Sequence, residues 1–173
     1  MRKIAILYVA VALWVVPAFA YDLTLQNTPV QVYFSPRGGA QDALVATIGQ
    51  AKDSIFVQAY SFTSAPIAKA LVDAVRRGVK IEAILDKSQR TERYTGATFL
   101  KNEGIPVYID DKHAIAHNKV MILDRSIVVT GSFNFTKAAE EKNAENLLII
   151  PSKDMAKIYM DNWEKHKEHS ESY

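Results

Sequence analysis

The chain has 173 residues, 49% of them hydrophobic and 23% charged, and it contains no cysteine. This composition excludes collagen-like, disulfide-stapled and intrinsically disordered classes. The missing thiols also exclude cysteine nucleophiles, iron–sulfur clusters and cysteine-ligated zinc. The formal charge of +2 does not argue for a polyanionic partner, because two of the basic residues lie in a segment that reads as removable.

That segment is the first to be met along the chain. Arg2 and Lys3 precede an uncharged apolar run from Ile4 to Val16, then Pro17, then Ala18-Phe19-Ala20. A positive start, a short apolar run and a small-x-small site make a secretory signal peptide. The run spans about 20 Å as a helix, short of the roughly 30 Å hydrocarbon core. The expectation is signal peptide over 1–20, cleavage after Ala20, and a periplasmic or secreted product of residues 21–173 with no stable membrane anchor. Without Arg2 and Lys3, 19 basic residues face 19 acidic ones. The balance is uneven: Arg76, Arg77, Lys80, Lys87, Arg90, Arg93 and Lys101 face only Glu82, Asp86 and Glu92 between 76 and 101.

Val30 to Phe34 reads as a strand ending at Ser35-Pro36. Residues 40–52 read as a helix, with Leu44, Val45, Ile48 and Ala51 at helical spacing. Ser54 to Tyr60 is a strand with Ile55, Val57 and Ala59 on one face. Ser64 can cap a helix over 65–77, with Pro66 in its first turn and Gly78 just past its end. Val79 to Leu85 is a strand. A polar stretch leads to a short helix near 95–103, and Ile105 to Ile109 is a strand. His117 to Leu123 and Ser126 to Thr130 read as strands around a turn at Asp124-Arg125. Thr136 to Lys142 suits one or two helical turns, and Ala144 to Ile150 a strand. Ser152 caps a last helix to about Lys167, with Met155, Ile158, Tyr159 and Trp163 inside. The tail Glu168 to Tyr173 reads as polar and frayed. Helices alternate with strands first, and strands dominate later. The fold class is therefore α/β: one domain with a mixed β-sheet flanked by helices on its faces.

The chemistry is concentrated in His117-Asn118-Lys119-Val120-Met121-Ile122-Leu123-Asp124 and, a few residues on, Gly131-Ser132-Phe133-Asn134. Alternation on a strand projects His117 and Lys119 together, and Ser132 and Asn134 likewise sit two apart. Phe133 and Phe135 should pack behind them. Glu145 lies at the start of a later strand. Among other candidates, Asp110-Asp111 reads as a polar turn, His113 as a loop residue near the site mouth, and His166 and His169 as a solvated face. Zinc bound by His113 and His117 is disfavoured by the strand reading. Arg90 and Arg93 lie in a polar loop where a phosphate-backbone contact is plausible.

The defined residues read H-x-K-x4-D-x6-G-S-x-N, which resembles the signature of the phospholipase D superfamily. With the apparent signal, the short length and the run GSFNFTKAAEEKNAEN, the chain is similar to the small bacterial endonuclease branch of that family. The resemblance implies a mixed sheet flanked by helices and phosphodiester hydrolysis through a covalent phosphohistidine. It implies His117 as nucleophile, Lys119 and Asn134 on the phosphate oxygens, Ser132 supporting that site, and Glu145 orienting a His117 ring. Asp124 belongs to the motif, with a more structural role expected. No carboxylate cluster for magnesium or calcium is evident, so neither metal nor other cofactor is expected. The superfamily's site pairs two such motifs, yet His117 is the only histidine here followed by x-Lys. A complete site then needs a homodimer with both His117 side chains at the two-fold axis. The expected substrate is nucleic acid, cut with little sequence preference. The alternatives are a lipid phosphodiesterase and an inactive nucleic-acid-binding accessory protein.

Overall fold

A computed structural model describes residues 20–91 and 96–173. The signal-peptide reading of 1–20 and the Arg93 assignment thus fall outside the described residues, Ala20 apart. In chain order the elements are β1 (Gln31–Ser35), α1 (Ala40–Gln50), β2 (Ser54–Ala59), α2 (Ala65–Arg76), β3 (Lys80–Asp86), a 3-10 turn (Lys87–Arg90), α3 (Gly96–Asn102), β4 (Val107–Asp110), β5 (Lys119–Leu123), β6 (Ile127–Gly131), α4 (Lys137–Glu141), β7 (Glu145–Pro151), α5 (Lys153–His169) and β8 (Glu171–Ser172).

The strands form one sheet in the order β1-β7-β6-β5-β2-β3-β4-β8. β2, β3 and β4 run parallel, joined by α2 and α3, while β5, β6, β7 and β1 continue the sheet antiparallel. This is the α/β mixed sheet expected from the switch in pattern along the chain. Local signals set the helix starts. Ser64 Oγ accepts from Ile67 N, Thr136 Oγ1 from Ala139 N at 3.1 Å, and Ser152 Oγ from Met155 N at 3.2 Å.

The two faces are covered unequally. Leu44 and Ile48 of α1, Ile67 and Leu71 of α2, Leu100 of α3 and Ala139 of α4 pack on Ile55, Val57, Leu85, Ile109, Met121 and Val129. The other face carries α5, whose Ala156, Met160 and Trp163 cover Phe56, Ile84, Val120, Ile122 and Val128. Trp163 also donates its Nε1–H to Val57 O at 2.9 Å, so its polar edge is satisfied within the apolar layer. Among the described residues no helix is long and apolar enough to cross a membrane.

Two expectations are corrected here. β5 begins at Lys119, so His117 lies in the loop before the strand rather than in it. The tail is not frayed: α5 runs to His169, β8 pairs with β4, and Tyr173 N donates to Val107 O at 2.9 Å. The polar residues of that tail disguise it, because its anchoring is by backbone pairing on an edge strand.

Asp124 lies at the far end of β5 from His117. It stands in the β5–β6 turn, where it and Arg125 both have left-handed backbone, φ 50° and 49°. Its carboxylate accepts from the backbone N–H groups of Lys52, Asp53 and Ser54, the last two at 2.8 and 3.0 Å. Burial pushes its pKa up, but those three donors outweigh it and hold the carboxyl below its ordinary 3.8. A depressed folded pKa adds stability above the unfolded pKa and loses it as pH falls. Asp124→Asn is therefore expected to cost about 1–2 kcal/mol at pH 7. The cost should shrink as pH falls below about 4, where the unfolded chain's carboxyl protonates first and the folded one follows at lower pH. Urea midpoints of the two proteins at pH 7 and pH 3 measure this, and coincident midpoints at pH 7 contradict it.

Candidate active site

Sheet topology brings the candidate residues to one edge. β2, β3 and β4 end there at Ala59, Asp86 and Asp110, β5 starts there at Lys119, β6 ends there at Gly131, and β7 starts there at Glu145. His117, Lys119, Ser132, Asn134 and Glu145 thus gather at a common edge although they come from three separate strand ends. Asp124 does not join them, since it caps the opposite end of β5. Phe133 and Phe135 lie buried beneath, as expected.

Lys119 is 7% exposed and opposes Ala59 across the β2–β5 ladder. Its Nζ donates to His117 O at 3.1 Å and lies 5.1 Å from the Tyr60 ring centroid. Burial pushes the ammonium pKa down, and the negative charge of Glu145 partly restores it. Glu145 Oε1 itself accepts from Asn143 Nδ2 at 3.2 Å. The cation is therefore dehydrated and partly compensated, a state in which a bound anion gains more than it would from a solvated lysine.

His117 is exposed, and its ring packs against Tyr60 with centroids 4.7 Å apart. Tyr60 N donates to Asn118 O at 2.8 Å, which fastens the backbone between His117 and Lys119 to the end of β2. Tyr60 is a site residue that sequence reasoning missed. Its one signal was position, at the end of a strand whose alternation was otherwise read correctly.

At the end of β6, Gly131 adopts φ 145°, and a Cβ there would meet Asn146 O at 2.3 Å. This approach lets Ser132 N and Phe133 N both donate to Asn146 O at 3.1 Å. Ser132 Oγ accepts from Asn146 N at 3.0 Å and from Asn146 Nδ2 at 3.3 Å. Its lone pairs are engaged by these bonds, which turns its own O–H into the group available for a ligand. Asn134 holds a buried Oδ1 with no hydrogen-bond partner. The same amide carries two Nδ2 donors, which suit an anion. A buried lysine, a hydroxyl and an amide at the same strand-end edge as an exposed imidazole are groups of the kind that can stabilise an oxyanion.

Of the two proposed substrate arginines, Arg90 lies among the described residues. Arg90 NH2 pairs with Glu171 Oε2 at 2.8 Å beside β8, so a phosphate there would have to displace a carboxylate. The histidine assignments also change. His113, His166 and His169 surround the fully buried Asp110, so neither the solvated-face reading nor the polar-turn reading of Asp110 holds. The physical reason is the path of α5, which crosses the sheet and returns its last turn to the end of β4.

Such a fold, with a His-x-Lys pair at the strand-end edge, defines a phosphodiesterase of the phospholipase D class. The chain belongs to the family described as cardiolipin synthase, PLD-like domain, which matches residues 44–167. It is similar to a phospholipase D of Rickettsia felis, 42% identical over 139 residues that cover 80% of this chain and 70% of the relative. It is similar in structure to Nuc from Salmonella typhimurium, a phospholipase D family member. The TM-score is 0.82 at 40% identity, over 85% of this chain and 99% of that one. It also resembles NucT from Helicobacter pylori, with a TM-score of 0.79 at 25% identity over 85% of this chain and 100% of that one. The chain is a hydrolase of phosphodiester bonds on the fold expected from its sequence.

Proposed function

We propose that this protein is an endonuclease that hydrolyses DNA, and RNA to a degree the assay below measures, with little sequence preference and without a metal ion in the chemistry. It works as a homodimer after export and signal cleavage. The observation that carries the reading is the single His-x-Lys pair at the strand-end edge to which the topology also brings Ser132 and Asn134, groups suited to receive an oxyanion. The near full-length match to Nuc supports it, together with the motif's resemblance to the small endonuclease branch.

The reaction follows from these groups. One His117, neutral, attacks phosphorus in line; a P–N bond forms as the P–O bond to the leaving group breaks. The partner subunit's His117, protonated, gives its proton to the leaving oxygen. It then takes a proton from water, which attacks the phosphohistidine and frees the first His117. Lys119, Ser132 and Asn134 hold the equatorial oxygens, where charge accumulates. Glu145 orients a His117 ring, and its negative charge opposes the downward push of burial on the Lys119 ammonium. Because one histidine must be neutral and the other protonated, activity should follow a bell-shaped pH profile belonging to the pair.

A specific observation favours a second reading: the Rickettsia relatives are named phospholipase D, and the matching family is described as cardiolipin synthase. One assay separates the two. Purified protein is given plasmid, single-stranded DNA, RNA and phospholipid vesicles in excess EDTA. The expected result is cleavage of nucleic acid at least about 100-fold faster than headgroup release, a gap of two or more buried polar contacts. Headgroup release without nucleic-acid cleavage contradicts the proposal in favour of the lipid enzyme.

A further inference from the structure

We propose that Asp110, His113, His166 and His169 form a binding site for one divalent transition-metal ion, with zinc the best fit, separate from the phosphodiesterase site. Asp110 ends β4 and is completely buried; His113 follows three residues later in the loop to β5. His166 and His169 sit three apart on the last turns of α5, so both rings leave the same face. His166 Nδ1 lies 2.6 Å from Asp110 Oδ2, His113 Nδ1 3.0 Å from the same oxygen, and His169 Nε2 3.3 Å from Oδ1. All four ligand atoms fall within 4.8 Å of one another. Zinc holds nitrogen and oxygen ligands at about 2.0–2.1 Å, which places tetrahedral neighbours about 3.3 Å apart. The three Asp110–histidine separations are at or below that spacing, and the widest pair need only contract.

Hydrogen bonding alone leaves this cluster incomplete. His169 Nε2 is buried 3.3 Å from Asp110 Oδ1 but is poorly aligned for a hydrogen bond to it. The three rings crowd one another, with centroids 4.8 Å apart for His113–His166 and 5.3 Å for each pair that includes His169. Three imidazoles crowded on one carboxylate present three nitrogen ligand atoms, and a dication satisfies them together with the carboxylate. Three imidazoles and one carboxylate suit zinc, with nickel and copper as chemical competitors. The groups behind the ligands are fixed too: Lys112 N donates to Asp110 Oδ1 at 3.2 Å, and Ser170 Oγ donates to His166 O at 2.7 Å.

The ion would act as a clamp. It would join the end of α5 to the start of the loop over residues 111–118, whose other end carries His117. That loop is already held where Ala116 N donates to Asp86 Oδ2 at 2.7 Å and Lys87 Nζ donates to His113 O at 3.1 Å. A metal here stabilises the fold and takes no part in phosphoryl transfer. Turnover in EDTA should then persist below the lowered melting temperature.

Zinc alone is the probe. Titrated into metal-stripped full-length protein, it should bind one ion per chain and raise Tm by roughly 5 °C at saturating concentration, reversed by EDTA. The double variant His166→Gln/His169→Gln should bind at least about 100-fold more weakly. His117→Ala should bind as the wild type does. Imidazole NMR of the wild type needs no variant to fold. The chain has four histidines, and zinc should shift three of them and leave the His117 ring unchanged. Absence of saturable binding overturns the proposal. So does unchanged affinity in a folded double variant, or a zinc-dependent shift at His117 in place of the other three.

Discussion

His117→Ala should lower kcat on nucleic acid by about 10⁴-fold or more, with Tm unchanged within a degree or two. Removing a nucleophile deletes the covalent route itself, which is why such losses exceed those for a charge-stabilising donor, about 10²–10³-fold. The small effect on stability follows from the surroundings. The His117 ring is exposed, and its contact in the fold is the Tyr60 ring; the bond from Lys119 goes to the backbone carbonyl, which alanine keeps. Single-turnover and steady-state rates of the two proteins, beside their melting curves, check this. Residual activity above about a hundredth of the wild type's would move the nucleophile elsewhere.

Gly131→Ala should have the largest effect on the fold. Its backbone lies at φ 145°, and the added methyl would stand 2.3 Å from Asn146 O and 2.8 Å from Asn146 Oδ1. The backbone penalty is about 1–2 kcal/mol and the overpacking adds about 1–3, so a loss near 3 kcal/mol is expected. Relief requires β6 and β7 to separate at the point where Ser132 N and Phe133 N share Asn146 O. Activity should therefore fall with stability, because Ser132 and Asn134 move together. Gly104→Ala is the control: φ is 80°, but nothing lies within 4 Å of the added Cβ. It should cost about 1 kcal/mol and leave kcat alone. Equal costs at the two glycines would contradict the packing argument.

Much of this fold is legible in the sequence because its signals are local. Ser64, Thr136 and Ser152 announce their helices within four residues, and Ile55-Val57-Ala59 declares its buried face by alternation. The candidate site is legible for another reason: His117, Lys119, Ser132 and Asn134 flank one hairpin, so their spacing along the chain carries their spacing in space. What escaped is what depends on distant packing. Asp110 and His166 are 56 residues apart and meet only because α5 crosses the sheet and ends beside β4. β8 pairs through its backbone, so its polar side chains gave no sign of it. Tyr60 becomes part of the site when Asn118 O accepts its N–H, a pairing with no local pattern. Arg90 was read from its polar loop, and its ion-pair partner Glu171 lies at the far end of the chain, beyond the reach of any local pattern.

Two chains together are expected to make one catalytic site. A dimer of one wild-type chain and one His117→Ala chain, each with a different affinity tag and purified through both tags, tests it most directly. If each site needs both His117 side chains, this mixed dimer has a nucleophile or an acid but never both. Its activity should fall to about a hundredth of the wild-type dimer's or less, the loss expected for a missing general acid. If each chain carried a complete site, symmetry would leave the mixed dimer about half of the wild-type activity, and the shared-site account would be wrong.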